Sequence, residues 1–383
     1  MNIIILGYIV RGPIGGLAWH HLQYVTGLEN LGHHVYFFED SDDYPSCYDP
    51  DRHLTDTNPE YGLRFASEAF ERMGLGDKWV YYDAHTDRWL GPLGDKGPAL
   101  CESADLLLNI SGVNPIRPWF LDIPERVLID TDPVFTQIRH LSDPSARRLA
   151  GKHTAFFSFG ENIGSANCSI PSDDFPWMPT RQPIVLDAWP TTTGPDNGIF
   201  TTVMQWDSYK PALYNGNRYG MKSESFTPYM DLPAATDSRL ELCLGSPDAP
   251  RDLLLGKGWL LSNPLEITRN PWTYQQYIQS SKGEFTVAKQ GYVASRSGWF
   301  SERSAAYLAS GRPVVTQETG FSAWLDSGSG ILAFNDPAGA ADCLDDISSH
   351  YRHHCKAARE VAEEYFDSRK VLQKLLDDIF SQR

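Results

Sequence analysis

The segment Ala294-Ser295-Arg296-Ser297-Gly298-Trp299-Phe300-Ser301-Glu302-Arg303-Ser304 concentrates hydroxyl groups and two guanidinium cations around a glycine. Gly298 suits a tight turn and Ser301 an N-cap. The residues that follow suit a short helix to about Ser310, with Gly311 as its stop and a buried strand from Pro313 to Thr316. A helix beginning at Ser301 directs unpaired backbone N–H groups at whatever lies in front of it. Together with the hydroxyls of Ser301 and Ser304 and the cation of Arg296 or Arg303, those amides match a pyrophosphate.

A second glycine-rich stretch, Gly7-Tyr8-Ile9-Val10-Arg11-Gly12-Pro13-Ile14-Gly15-Gly16, follows the apolar run Asn2 to Leu6 and precedes a helical pattern with Leu22, Val25 and Leu28 on its apolar side. The spacing is not the Gly-x-Gly-x-x-Gly of a dinucleotide site, which ranks a nicotinamide enzyme low; in that rival reading Glu39 and Asp40 are the ribose ligands. His20 lies near the start of the helix, where the positive helix end favours neutral imidazole, the form a general base needs. Packing against the loop is the alternative for His20 and His21. Asp130 and Asp132, in Leu128-Ile129-Asp130-Thr131-Asp132-Pro133, follow a strand end and open onto the same sheet edge. Either one could orient a His or act as the base, and Asp132 is alternatively a turn residue before Pro133.

The elements that must hold these groups read as two α/β domains. Strand-like runs at Asn2 to Leu6, Val35 to Phe38, Leu106 to Ile110, Val127 to Ile129 and Thr154 to Phe157 alternate with helical stretches. The second half repeats the style at Ile184 to Leu186, Ile199 to Val203, Leu240 to Leu244, Trp259 to Leu261, Glu284 to Val287, Pro313 to Thr316 and Ile331 to Phe334. Pro171, Pro176, Pro179 and Pro183 mark a hinge between them. The expected organisation is a first Rossmann-like domain over 1–175, a second over 176–366, and a C-terminal helix over 367–383. Asp367 and Ser368 interrupt the amphipathic tail and are its candidate cap.

A chain of 383 residues with 41% hydrophobic and 21% charged residues is ordinary for a two-domain globular protein, and no run is long and apolar enough to span a membrane. The N-terminus reads as a first strand, not a signal peptide, so a cytoplasmic location is expected. A net charge of −16 excludes nucleic acid and anionic membrane surfaces as expected partners. The six cysteines are scattered and read as free thiols. His350, His353, His354 and Cys355 have metal-ligating side chains, but a solvated helix face is the expected reading, and no metal is predicted.

Gly298-Trp299-Phe300-Ser301 and Gly311-Arg312-Pro313 resemble the donor loop of the GT-B glycosyltransferases, with Arg296 where that family's phosphate-binding His stands. The resemblance implies two Rossmann-like domains facing across a cleft, with the last helix crossing back to the first domain. It also implies transfer of a sugar, a hexose in the expected case, from a nucleoside diphosphate donor to a small-molecule or glycan acceptor, with the nucleotide-sugar as co-substrate and no other cofactor. On the same resemblance Gln317, Glu318 and Gly320 hold the donor sugar, and a capped turn is the alternative for the first two. Lys222, or Arg218, reaches the donor phosphates, and Gly15 and Gly16 face the acceptor. Ala306 stands where a ribose-binding Glu is expected, and Glu302 is the replacement one turn earlier. Trp19, Trp79, Trp89 and Trp119 are candidate acceptor platforms, with core packing as the alternative. Attack by an acceptor deprotonated by His20, Asp130 or Asp132 implies inversion. The rival functions are a nucleotide-sugar epimerase of the same fold and a non-catalytic nucleotide-sugar or glycan binder.

Overall fold

The computed structural model describes residues Met1–Ser381. In the first domain β1 (Asn2–Leu6), β2 (His34–Asp40), β3 (Trp79–Asp83), β4 (Arg88–Leu90), β5 (Leu106–Ile110), β6 (Glu125–Asp130), β7 (Ala155–Ser158) and β8 (Trp177–Pro179) form one sheet in the order β8-β7-β6-β5-β1-β2-β3-β4. All neighbours run parallel except β3 and β4. Ile3 to Leu6 and Leu106 to Leu108 are fully buried, as strands covered on both faces must be.

The second domain repeats the design with β9 (Ile199–Gln205), β10 (Arg239–Gly245), β11 (Leu260–Ser262), β12 (Gly283–Thr286), β13 (Val314–Gln317) and β14 (Ile331–Phe334), all parallel in the order β11-β10-β9-β12-β13-β14. The strand order reverses beside β1 in the first sheet and beside β9 in the second, and the carboxyl ends of those strands are where doubly wound sheets bind ligands.

Two expectations need correction. The proline-rich stretch contains β8, an edge strand of the first sheet, so the first domain extends to Pro179, past residue 175. Pro179 is tolerated there because an edge leaves one side of the strand unpaired. Ile184 to Leu186 is not a strand. Ile184 makes a single bridge to Asp367: its amide donates to the Phe366 carbonyl (2.7 Å) and its own carbonyl accepts from Ser368 (2.9 Å). The chain's two crossings between the domains therefore lie side by side. Asp367 accepts from the Arg369 amide and caps the last helix (Ser368–Phe380). This last helix packs on α1 (Gly15–Asn30) so closely that a Cβ on Gly27 would lie 2.5 Å from Leu372 Cδ1.

One apolar cluster runs through this junction, from Ile3, Leu22, Val25 and Phe37 to Trp189, Phe300, Leu308, Phe366 and Leu372. Trp19 and Trp79 belong to it as core residues, and Trp89 and Trp119, partly buried, pack together on the opposite sheet face.

Gly15 and Gly16 also serve this junction. The Gly15 amide donates to the Thr268 carbonyl across the domains (2.8 Å). A Cβ on Gly15 would meet the Asn270 carbonyl at 2.3 Å, and one on Gly16 the Tyr274 ring at 3.3 Å, both on or beside α2 of the second domain's contact face, here the helix Pro271–Ser280. The structure gives the pair a packing role instead of the expected acceptor contact. Gly15→Ala is expected to destabilise by about 1–3 kcal/mol in a denaturant titration, although Ala is the better helix former. Gly256→Ala, with nothing within 4 Å of the added methyl, is the control and is expected to be neutral or slightly stabilising.

Candidate functional site

The segment of greatest chemical promise folds largely as its residue types dictate. Gly298 has φ +75°, Ser301 caps the helix Glu302–Ala309 by accepting from the Arg303 amide (3.2 Å), and Gly311 ends it at φ +71°. Arg303, however, faces inward. It pairs with Glu284 and donates to the Val203 carbonyl (2.8 Å) and Thr286 Oγ1 (2.8 Å). Glu284 is fully buried, and its second oxygen has no protein partner.

Lys222, the first residue of the short helix Lys222–Phe226, completes this side of the cleft. Its ammonium makes no hydrogen bond or ion pair among the described residues. Burial, reinforced by the positive charges of Arg303 and Lys289, pulls its pKa down to about 7; Glu284 and Glu302 oppose the shift.

On the first-domain side, the loop after β1 is held by Glu39, whose carboxylate accepts from the amides of Ile9 (2.6 Å), Val10 (2.7 Å) and Arg11 (2.7 Å). Asp40 is tied to Arg117 at 2.8 Å. Both acids are thus structural, which removes the ribose ligands of the dinucleotide reading. His21 fixes the same loop, accepting from the Tyr8 amide at Nε2 (3.3 Å) and facing the Leu17 carbonyl at Nδ1 (2.8 Å).

His20 is different. It lines a narrow crevice between the domains with Glu302, Arg303, Ala306 and Tyr274, and its buried Nε2 has no protein partner. Burial lowers its pKa, with Glu302 pulling the other way, so the imidazole is held in its neutral form. Glu302 and Ala306, one turn apart, share the helix face that looks at His20. Tyr8 is close enough to Glu302 and Asp132 for their charges, after burial, to push its pKa up to about 12.

The two aspartates diverge. Asp130 is buried, and its oxygens accept from Thr136 (2.7 Å), Gln137 (3.0 Å), Ser158 (2.7 Å) and the Asp132 amide (2.9 Å). That set occupies its lone pairs and makes it a positioning residue, not a base. Asp132 reaches across the cleft: it receives the hydroxyls of Tyr209 and Tyr292 and the Lys289 ammonium (2.8 Å), all from the second domain. The geometry is a clamp between domains.

Other expected ligands lie elsewhere. Arg296 ends the helix Gln290–Ser295 in a left-handed conformation (φ +50°), and its side chain is exposed with no partner among the described residues. Gly298 and Gly320 flank Asn162, whose amide donates to the carbonyls of Arg296 (3.0 Å) and Gly320 (2.9 Å). Glu318 caps its own turn by accepting from the Gly320 amide and the Ser322 hydroxyl, and Gln317 accepts from the Ala288 amide at 3.2 Å. Ser304 is fully buried in the helix interior, away from the crevice lining. Arg218 pairs with Glu224 at 2.8 Å. The structure therefore gathers His20, Glu302, Arg303, Lys222 and Asp132 around the cleft and leaves the others as turn, seam or core residues. Glu284, Lys289, Tyr209 and Tyr292 were not anticipated, although Lys289 follows the end of β12 beside the second sheet's reversal point.

Asp346, His350 and His354 place their ligand atoms within 4.8 Å of one another. The Gly330 amide donates to His354 Nδ1 (3.2 Å), which leaves the proton on Nε2, facing Asp346 at 3.4 Å. A metal at that nitrogen would have to displace this proton, so the cluster is built for hydrogen bonding.

No family model matches the sequence, and no curated protein matches it. Solved structures do match from end to end. An α-glucosyltransferase in complex with UDP and a 13-mer DNA is 14% identical over 98% of both chains, with a TM-score of 0.58. The sucrose-phosphate synthase of Thermosynechococcus elongatus is 13% identical over 100% of both chains (TM-score 0.55), and HepE of Anabaena in complex with UDP is 12% identical over 100% of both (TM-score 0.52). With two doubly wound parallel sheets facing across a cleft, and those glycosyltransferase structures matching it over its full length, the chain has the GT-B fold.

Proposed function

We propose that the protein is a glycosyltransferase, moving a hexose from a nucleoside diphosphate sugar in the interdomain cleft to a hydroxyl-bearing small molecule or glycan. The observation that carries this reading is the unpaired ammonium of Lys222, crowded by Arg303 and Lys289, with Glu302 acting on both it and the neutral His20. Arg303 and Lys289 are already paired with Glu284 and Asp132, so Lys222 is the cation left to meet an anionic ligand, and a diphosphate supplies that charge. Lys222 stabilises the departing diphosphate, so the reaction needs no metal ion. His20 takes the acceptor proton as the acceptor oxygen attacks the anomeric carbon and the bond to the diphosphate breaks; this single displacement inverts that carbon. Glu302 lies where it can accept from donor hydroxyls.

The structural neighbours support the donor class, since UDP or UDP-glucose is named in several of their complexes. DNA is named with the α-glucosyltransferase, but a chain of net charge −16 is a poor match for a phosphate backbone, and we assign this protein no nucleic-acid acceptor. No helix among the described residues is long and apolar enough to cross a membrane, and six free cysteines suit a reducing compartment such as the cytoplasm.

A thermal-shift panel of UDP-, GDP-, TDP- and CDP-linked sugars tests the reading. One nucleotide class is expected to raise the melting temperature, because a ligand at 100 times its Kd stabilises by about 2.7 kcal/mol. If none of the four does so, the donor assignment is wrong.

A further inference from the structure

The first domain holds a second cavity, of about 490 Å³, at the carboxyl ends of β5 and β6, beside the reversal point of the first sheet. Its size suits a small ligand. Ser111 and Gly112, consecutive residues at φ +64° and +60°, form part of its wall.

Two buried acceptors face this cavity. His140 donates from Nδ1 to Asp173 (2.7 Å), and the other Asp173 oxygen accepts from Trp177 Nε1 (2.8 Å). The Asp173 contact holds the Nδ1 proton and leaves Nε2 with no partner among the described residues. The ring cannot swing away, because it stacks on Trp177 and meets Phe175 edge-on.

The second acceptor is Asn109 Oδ1. His153 donates from Nδ1 to the Ala150 carbonyl (2.8 Å), so its Nε2 must accept, and Asn109 Nδ2 is the donor there (3.1 Å). That assignment turns Oδ1 away from His153, and this buried oxygen finds no protein donor.

We propose that this cavity binds a neutral, hydroxyl-rich molecule of mono- or disaccharide size, which donates hydroxyl protons to Asn109 Oδ1 and His140 Nε2. In the lining, His153 is kept neutral, its pKa pulled down to about 4 mainly by burial, and the arginine of the lining, Arg139, is exposed to solvent. Of the acidic lining residues, buried Asp130 has its oxygens already engaged, and Asp42, Asp43 and Asp143 are partly or fully exposed to solvent. The site needs neither a bound donor nor the transfer reaction, and it stands apart from the phosphate-binding cation.

The full-length protein is titrated with D-glucose, sucrose and myo-inositol by calorimetry, while the imidazole nitrogen signals of His140 and His153 are followed by NMR. At least one compound is expected to bind saturably and shift the His140 Nε2 signal, to bind at least about tenfold more weakly to Asn109→Leu, and to remain bound when UDP is added. Absence of saturable binding by all three, binding without a shift at His140, or displacement by UDP overturns the proposal. The His140 signal is read in the wild type, so the proposal remains falsifiable even if Asn109→Leu does not fold.

Discussion

Arg303→Met is expected to destabilise the protein by about 3–5 kcal/mol, the range for removing one partner of a buried ion pair. Glu284 sits in the interior of β12 and is wholly buried, so without the guanidinium it keeps a charge in a medium that cannot solvate it, or takes up a proton to lose it. The Val203 carbonyl and the Thr286 hydroxyl lose their donors in the same step. The double variant Arg303→Met with Glu284→Gln removes both charges and is expected to recover a large part of the loss. Urea denaturation midpoints read the comparison; a single variant within about 1 kcal/mol of wild type would show that the pair does not behave as a buried one.

Lys222→Met is expected to weaken UDP binding about 10- to 100-fold in calorimetry while leaving the melting temperature unchanged or higher. A hydrogen bond to a charged group contributes about 1.5–3 kcal/mol, which sets the affinity range. The stability expectation follows from the missing partner: Met removes a half-buried cation that repels Arg303 and Lys289 and breaks no ion pair. The pH dependence has a definite sign. In the folded protein Lys222 loses its proton near pH 7, against 10.5 for an ordinary lysine, so between these values the unfolded chain binds more protons and this group makes stability rise with pH. Donor affinity moves the other way. A bound diphosphate favours the ammonium, so UDP affinity is expected to fall as pH rises from 7 toward 9, by up to about tenfold per unit, with proton uptake on binding at pH 8. A terminal phosphate has finished its own ionisation by then, with a pKa of about 6. Equal UDP affinity in the variant, or a flat wild-type profile over this range, would remove Lys222 from the donor site.

The sequence made the local parts of this structure legible. β1, β5 and β14 have the boundaries their apolar runs imply, and Gly298, Ser301 and Gly311 act as turn, cap and stop because those roles depend on the residue and its immediate neighbours. β3 was passed over: Trp79-Val80-Tyr81-Tyr82-Asp83 carries aromatic and hydroxyl-bearing residues equally suited to a packed loop, and its place in the sheet comes from pairing with β2, forty residues away in register between Phe37 and Trp79. The site was less legible for the same reason. Arg303 looked like a phosphate ligand because its partner, Glu284, lies on another element, although a carboxylate inside a buried strand was itself a sign that a cation must reach it. Asp132, Tyr209, Lys289 and Tyr292 meet only when the domains do, and nothing in the spacing of four such residues announces a meeting across the cleft. The residues expected to hold the donor sugar follow a strand end as required, but Glu318 spends its oxygens on its own turn.

The Asn162 contact is a joint made with main-chain carbonyls, those of Arg296 and Gly320. The side chain at residue 296 takes no part in it, whereas residue 320 must stay glycine, because a Cβ there would lie 2.6 Å from Asn162 Nδ2. Sequence drift at residue 296 would leave the two halves as firmly fastened as before, whereas an Asp at residue 162, nearly the same shape, would set an acceptor against two acceptors and push the halves apart.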